Sequence, residues 1–125
     1  MRLLDPETFK DQPYVAGLNQ GGHMIAGAAI FAGAFALLGG DWGLVLALVI
    51  PLALEAWQYI VRNAAGWDCV LDYFFWQIGA TAWVLAVMME DVSGPAILFP
   101  LRSVLIMGAV MAVFTIFKAR SKGDL

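Results

Sequence analysis

Four long apolar runs separated by short polar breaks set the pattern of this 125-residue chain. They extend from Gly21 to Gly40, Gly43 to Val61, Trp67 to Met89 and Leu98 to Phe117. Each approaches or reaches the ~20 residues that carry a helix across a bilayer. The runs are continuously apolar and lack the period-2 alternation of membrane β-strands, so the pattern predicts helices rather than a barrel. The breaks are brief: Asp41-Trp42, Arg62 to Gly66, and Glu90 to Ile97. Spans this closely spaced form one unit. The expectation is an all-α membrane protein, a four-transmembrane-helix bundle over residues 21–117, flanked by tails at 1–20 and 118–125.

Composition supports that class. A chain that is 62% hydrophobic and 14% charged, with mean hydropathy +0.79, does not read as a soluble globular domain. The first 20 residues carry Pro6, Pro13, Asp5, Glu7 and Asp11 and have no apolar core of signal-peptide length, so they read as a tail. A short amphipathic turn from Leu3 to Phe9 fits the membrane interface. The single Cys69 excludes an internal disulfide framework and reads as a small packing residue. A net charge of −3 with no basic stripe argues against a nucleic-acid partner; the expected partner is the lipid bilayer.

The basic residues orient the bundle. Arg2 and Lys10 precede the first run, Arg62 follows the second, and Lys118, Arg120 and Lys122 follow the fourth. With four spans, those regions share one side. Only Arg102 falls near the other, together with Asp41, Glu90 and Asp91. The positive-inside rule then places both termini in the cytoplasm.

That orientation gathers the polar residues of the spans. His23 opens the first, Glu55 lies seven residues before Arg62 in the second, and Asp68 and Asp72 open the third. All fall in the cytoplasmic third of the membrane. Glu55, Gln58 and Arg62 share a helix face at i, i+3, i+7, and Asp68 and Asp72 share one at i, i+4. A charge in hydrocarbon costs at least ~2.5–3.5 kcal/mol on insertion scales, so such a cluster needs a partner or a task. The candidate site is therefore His23, Glu55, Gln58, Arg62, Asp68 and Asp72, with His23, Glu55 and Asp72 as candidate ligands of a divalent metal.

Each member has a plainer reading. His23 also suits a hydrogen-bonded structural histidine, and Asp68 a helix-start carboxylate favoured by the helix dipole. Asp72 lies a turn too deep for capping. Glu55 is deeper still and needs a proton or a pairing with His23 or Arg62. Gln58 and Gln77 read as hydrogen-bonding contacts between helices. Arg62 suits a headgroup anchor, though it is also placed to hold an anion.

Other features reduce to packing. The first run, GGHMIAGAAIFAGAFALLGG, carries small-xxx-small pairs at Gly22/Ala26 and Ala29/Gly33, which predicts a central helix with close neighbours. Pro51 removes a backbone donor from the second span and predicts a kink. Trp42, Trp57, Tyr59, Trp67, Tyr73 and Trp76 suit interfacial belts, and Tyr73 to Trp76 a lipid-facing or packing band. No Ser-His-Asp order, phosphate loop or HExxH motif is present.

The segments GGHMIAG, LEAWQ and GWDCVLDYFFWQIGA resemble the pattern of small bacterial VanZ-like and YjdF-like membrane proteins. There a His opens one span, a Glu and a Gln three residues later close the next, and an Asp-containing segment ending in Gly opens the third. His23, Glu55, Gln58, Asp68, Asp72 and Gly79 occupy the matching positions. The resemblance covers roughly residues 20–82, and Trp76-Gln77 stand where VanZ-like chains usually carry an Asn. It implies a bacterial inner-membrane protein; some VanZ-like members are associated with resistance to glycopeptide antibiotics.

Two functions remain open from the sequence. In one, the cluster binds a polar ligand, a lipid headgroup or a divalent cation, and such an ion would activate water for headgroup hydrolysis. In the other, the chain is a structural or accessory subunit, as a homo-oligomer or in a larger bacterial or phage membrane assembly, and the cluster fixes helix register. Ion conduction ranks last, because nothing polar continues above Glu55 and Thr81 and Thr115 are too sparse.

Overall fold

A computed structural model describes residues 13–88 and 94–123. Those residues form four helices: α1 (Pro13–Leu38), α2 (Gly40–Val61), α3 (Gly66–Met88) and α4 (Gly94–Gly123). No strand occurs among the described residues. Each helix contains a stretch long and apolar enough to cross a membrane, namely Tyr14–Leu38, Gly40–Val61, Gly66–Val87 and Pro100–Lys118. The four-span all-α fold expected from the sequence is the fold observed.

The distribution of surface fits a lipid surrounding. Leu44, Val45, Leu48, Val49 and Leu52 of α2 and Ile106, Val110, Val113, Phe114 and Phe117 of α4 are exposed, while Gln20 and Glu55 are buried. In water this would be inverted, since large apolar side chains leave water and unpaired carboxylates stay in it. With lipid outside, the apolar groups meet their own kind and the polar groups retreat to the bundle interior.

Four boundaries differ from the sequence reading. The described part of α1 already starts at Pro13, so the helix takes in residues 13–20, assigned to the tail. His23 lies about 15 Å of helix rise beyond Pro13, not in the first turn of the helix. Asp41 and Trp42 are not a loop: both lie in the first turn of α2. The whole reversal is made at Gly39, whose φ of 93° is a left-handed conformation natural to glycine. α4 is longer than its expected run at both ends: residues 94–97, assigned to the break, are already helical, and the helix continues through Lys118 to Gly123. The Leu3 to Phe9 turn and the acids Glu90 and Asp91 lie outside the described residues.

The α2–α3 connection matches expectation and has a clear local cause. The N–H groups of Arg62 and Ala64 both donate to the Gln58 carbonyl, at 3.0 and 3.2 Å, around Asn63 at φ 52°. Asn is the residue other than Gly that best tolerates this left-handed helix ending. α3 therefore starts beside the end of α2.

Neighbouring helices run antiparallel. Gly17 near the start of α1 packs on Ile116 near the end of α4, and Gly43 of α2 packs on Phe31 and Phe35 of α1. Both ends of the described bundle thus emerge on one face. α1 and α3 each touch all the other helices, while among the described residues α2 and α4 do not meet. The small residues responsible are Gly27 and Gly79, not the expected pairs. A Cβ on Gly27 would overlap the Trp76 carbonyl, and one on Gly79 the Met24 carbonyl, whereas Gly22 and Gly33 face open space. Gly27 and Gly79 let the α1 and α3 backbones approach directly around Trp76, and Phe31, Ala47 and Ala80 close the core beyond them. Pro51 is fully buried within α2.

Candidate functional site

Three helices deliver the site at one depth. Glu55 lies two turns before the end of α2, Asp72 less than two turns after the start of α3, and His23 on the stretch of α1 packed against both. One candidate ligand atom from each of His23, Glu55 and Asp72 can be chosen so that all three lie within 4.8 Å of one another. This is the grouping expected from the sequence.

Two residues not anticipated hold the group in place. The Gln20 side-chain amide donates to Asp72 Oδ1 over 2.7 Å. Its Oε1 lies 3.1 Å from His23 Nδ1. Because the amide nitrogen is committed to Asp72, the amide oxygen is the acceptor, and the network assigns the proton to His23 Nδ1. In the neutral ring that leaves the lone pair on Nε2. His23 Nδ1 also lies 3.7 Å from Asp72 Oδ1. Trp76 donates its indole N–H to Glu55 Oε1 over 3.0 Å, and its ring centroid is 5.2 Å from that of His23. Gln20 precedes His23 by three residues and Trp76 follows Asp72 by four, so both spacings marked a shared helix face.

Glu55 is only half satisfied. It is 3% exposed, and among the described residues no donor reaches its Oε2 in regular hydrogen-bond geometry. The Cys69 thiol, a weak donor, lies beside the same carboxylate. Among the described residues no Lys or Arg pairs with either Glu55 or Asp72. Arg62 sits at the exposed end of α2 with its guanidinium carbon 5.8 Å from the Trp57 ring centroid, a cation–π anchor rather than a partner of Glu55.

The remaining candidates separate from this core. Gln58 shapes the α2 ending through its backbone carbonyl, and among the described residues its side chain makes no hydrogen bond to His23, Glu55 or Asp72. Asp68 lies in the first turn of α3, near enough to act electrostatically on Asp72 but outside the His23–Glu55–Asp72 triangle. Gln77 joins helices as expected, donating to the Ala47 carbonyl over 3.0 Å. The Tyr73–Trp76 band divides: Phe74 is exposed, Phe75 fully buried, Tyr73 contacts the Leu48 carbonyl at 3.5 Å, and Trp76 belongs to the site.

The triangle suits a small cation with slight contraction. Sides of at most 4.8 Å allow a point no more than about 2.8 Å from each corner, against ~2.0–2.2 Å for zinc–ligand and ~2.3–2.6 Å for calcium–oxygen bonds. Side-chain rotations of about half an ångström close the gap. One imidazole nitrogen and two carboxylates form a mixed nitrogen/oxygen donor set compatible with Mn or Zn. No family model, curated protein or solved structure matches the chain.

Proposed function

We propose that this protein is a multi-pass membrane protein of a bacterial inner membrane whose His23, Glu55 and Asp72 bind a divalent cation at the cytoplasmic end of the bundle. The observation that carries the reading is the buried Glu55 Oε2, left without a partner beside a second carboxylate and an imidazole. Two carboxylates in low dielectric need positive charge or protons. A divalent ion supplies the charge and uses the free lone pairs at once. Gln20 then acts as the outer support that fixes the His23 tautomer and aims Asp72, as hydrogen bonds behind metal ligands generally do. An ion held there would also attract a phosphate or activate a water, which connects the site to lipid headgroup chemistry. The resemblance to VanZ-like chains is compatible with this proposal and adds no assigned chemistry.

A second reading draws on the hydrogen bonds already made. Gln20, His23, Asp72, Trp76 and Glu55 link three helices, so the cluster can serve as a packing network in a subunit of a larger assembly. The two readings divide on Glu55→Gln. An amide preserves hydrogen bonding and a packing network tolerates it; a cation site loses its ion. The test is equilibrium dialysis of the tag-free protein against Mn(II), Zn(II) and Mg(II), followed by elemental analysis. One ion per chain, lost in Glu55→Gln and Asp72→Asn, is expected. A folded wild-type protein that retains none of the three contradicts the cation reading.

A further inference from the structure

Glu55 faces a second feature. A groove of about 330 Å³ runs between α2 and α3, lined by Leu52, Glu55, Ala56 and Tyr59 on one side and Gly66, Cys69, Val70 and Tyr73 on the other. Leu52, Tyr59 and Val70 are exposed, so the groove opens sideways, toward lipid rather than toward the bundle axis. Gly66 keeps its end open: a Cβ there would already touch the Tyr59 ring at 3.4 Å. The walls are apolar or aromatic apart from the Tyr59 and Tyr73 hydroxyls, the Cys69 thiol and Glu55, whose Oε2 is buried beneath the groove surface.

We propose that this groove binds a single-chain amphiphile with a protonated amine head, the ammonium turning the Cys69 thiol aside to pair with the Glu55 carboxylate and the hydrocarbon tail lying along Leu52, Val70 and Tyr73. Charge complementarity selects the head. An anionic or zwitterionic phosphate would bring its negative charge against Glu55, and an uncharged alcohol would leave the carboxylate without a counter-charge. A primary ammonium supplies the charge and up to three N–H donors, and the rings of Tyr59 and Tyr73 offer π faces to the same cation. Opening to the bilayer also removes any need for a water-filled entrance, because an amphiphile arrives by lateral diffusion in its own leaflet. The groove shares only Glu55 with the cation triangle, so metal and amine would compete for that carboxylate while depending on different neighbours.

The test uses a dodecylamine carrying a photoreactive diazirine in its tail, with the matching dodecanol probe as the uncharged control. Protein in neutral phosphatidylcholine nanodiscs is labelled in the presence of EDTA, and adducts are mapped by mass spectrometry. The amine should label peptides containing Leu52, Tyr59 or Val70 roughly tenfold more than the alcohol, as a charge-assisted hydrogen bond in a buried site predicts. Ala56→Phe, which fills the groove, should abolish the excess while leaving Mn(II) binding intact. Asp72→Asn should do the reverse, and Glu55→Gln should lower amine labelling to the alcohol level. Equal labelling by both probes would mean an ordinary lipid-filled crevice and would overturn the proposal. No groove labelling, or amine labelling unchanged in Ala56→Phe, would overturn it as well, whatever the result with metal.

Discussion

Gln20 and Asp72, 52 positions apart in the chain, are joined by a 2.7 Å hydrogen bond inside the bundle. That contact ties α1 to α3 and leaves the amide oxygen of Gln20 to receive the His23 Nδ1 proton. Replacing Gln20 with Ala should therefore act twice. It strands a buried acceptor, at about 1–3 kcal/mol. It also frees the imidazole to turn, so divalent cation affinity should fall about 10–100-fold. Thermal unfolding in detergent and Mn(II) titration measure the two effects separately. An unchanged affinity would show that Gln20 is a packing residue only.

Glu55 is expected to separate size from charge. Glu55→Ala removes the acceptor of the Trp76 indole and opens a void, which should destabilise the fold by about 1–3 kcal/mol for the unpaired donor alone. Glu55→Gln keeps an acceptor of nearly the same shape and should unfold within about 1 kcal/mol of the wild type. Urea or heat unfolding followed by circular dichroism compares them. A Gln variant as unstable as the Ala variant would show that ionised Glu55 itself stabilises the fold.

Close backbone approach makes the next prediction. Gly79→Ala places a methyl group against the Met24 carbonyl, and Gly27→Ala places one against that of Trp76. Neither obstacle is a flexible side-chain tip, so α1 and α3 must separate and the site must widen. Both variants should lose stability and cation binding together. Gly33→Ala is the control: nothing lies within 4 Å, and Ala is favoured over Gly in a helix by about 0.5–1 kcal/mol. Gly33→Ala should be neutral or stabilising in the same unfolding assay.

These residues also show what the sequence made legible. Hydropathy placed all four helices, because spanning a bilayer demands long uninterrupted apolar runs that few other structures produce. Charge placed His23, Glu55 and Asp72 at one depth, since each is rare in hydrocarbon and short loops fix where each helix starts. The helical character of residues 13–20 was harder to see: Pro13, Gly17 and Asn19 read as a tail, although Tyr14, Val15, Ala16 and Leu18 extend the apolar stretch to Tyr14–Leu38. Gln20 was hidden with them, and Trp76 was hidden among aromatics that usually face lipid. Which glycine makes the close contact depends on helix rotation, a property of the packed bundle that spacing along one helix does not encode.

Orientation is testable without reference to the site. Arg62 at the end of α2 and Lys118 and Arg120 near the end of α4 lie toward the face from which both ends of the bundle emerge, and the proposed orientation makes that face cytoplasmic. Ser93→Cys should react with an impermeant thiol reagent in intact cells, and Ser121→Cys should react only after lysis. The reverse pattern would place the site in the outer leaflet.

The central claim is that a cation sits between His23, Glu55 and Asp72. His23 is the sole histidine of the chain. Any imidazole nitrogen coupled to a bound metal in tag-free protein must therefore be its own. Electron spin-echo envelope modulation of the protein loaded with one equivalent of Mn(II) reads that coupling directly. A ¹⁴N modulation from one imidazole, absent in His23→Gln with the helical content unchanged, is the expected result. Bound Mn(II) with no nitrogen coupling, or coupling that survives His23→Gln, would contradict the account.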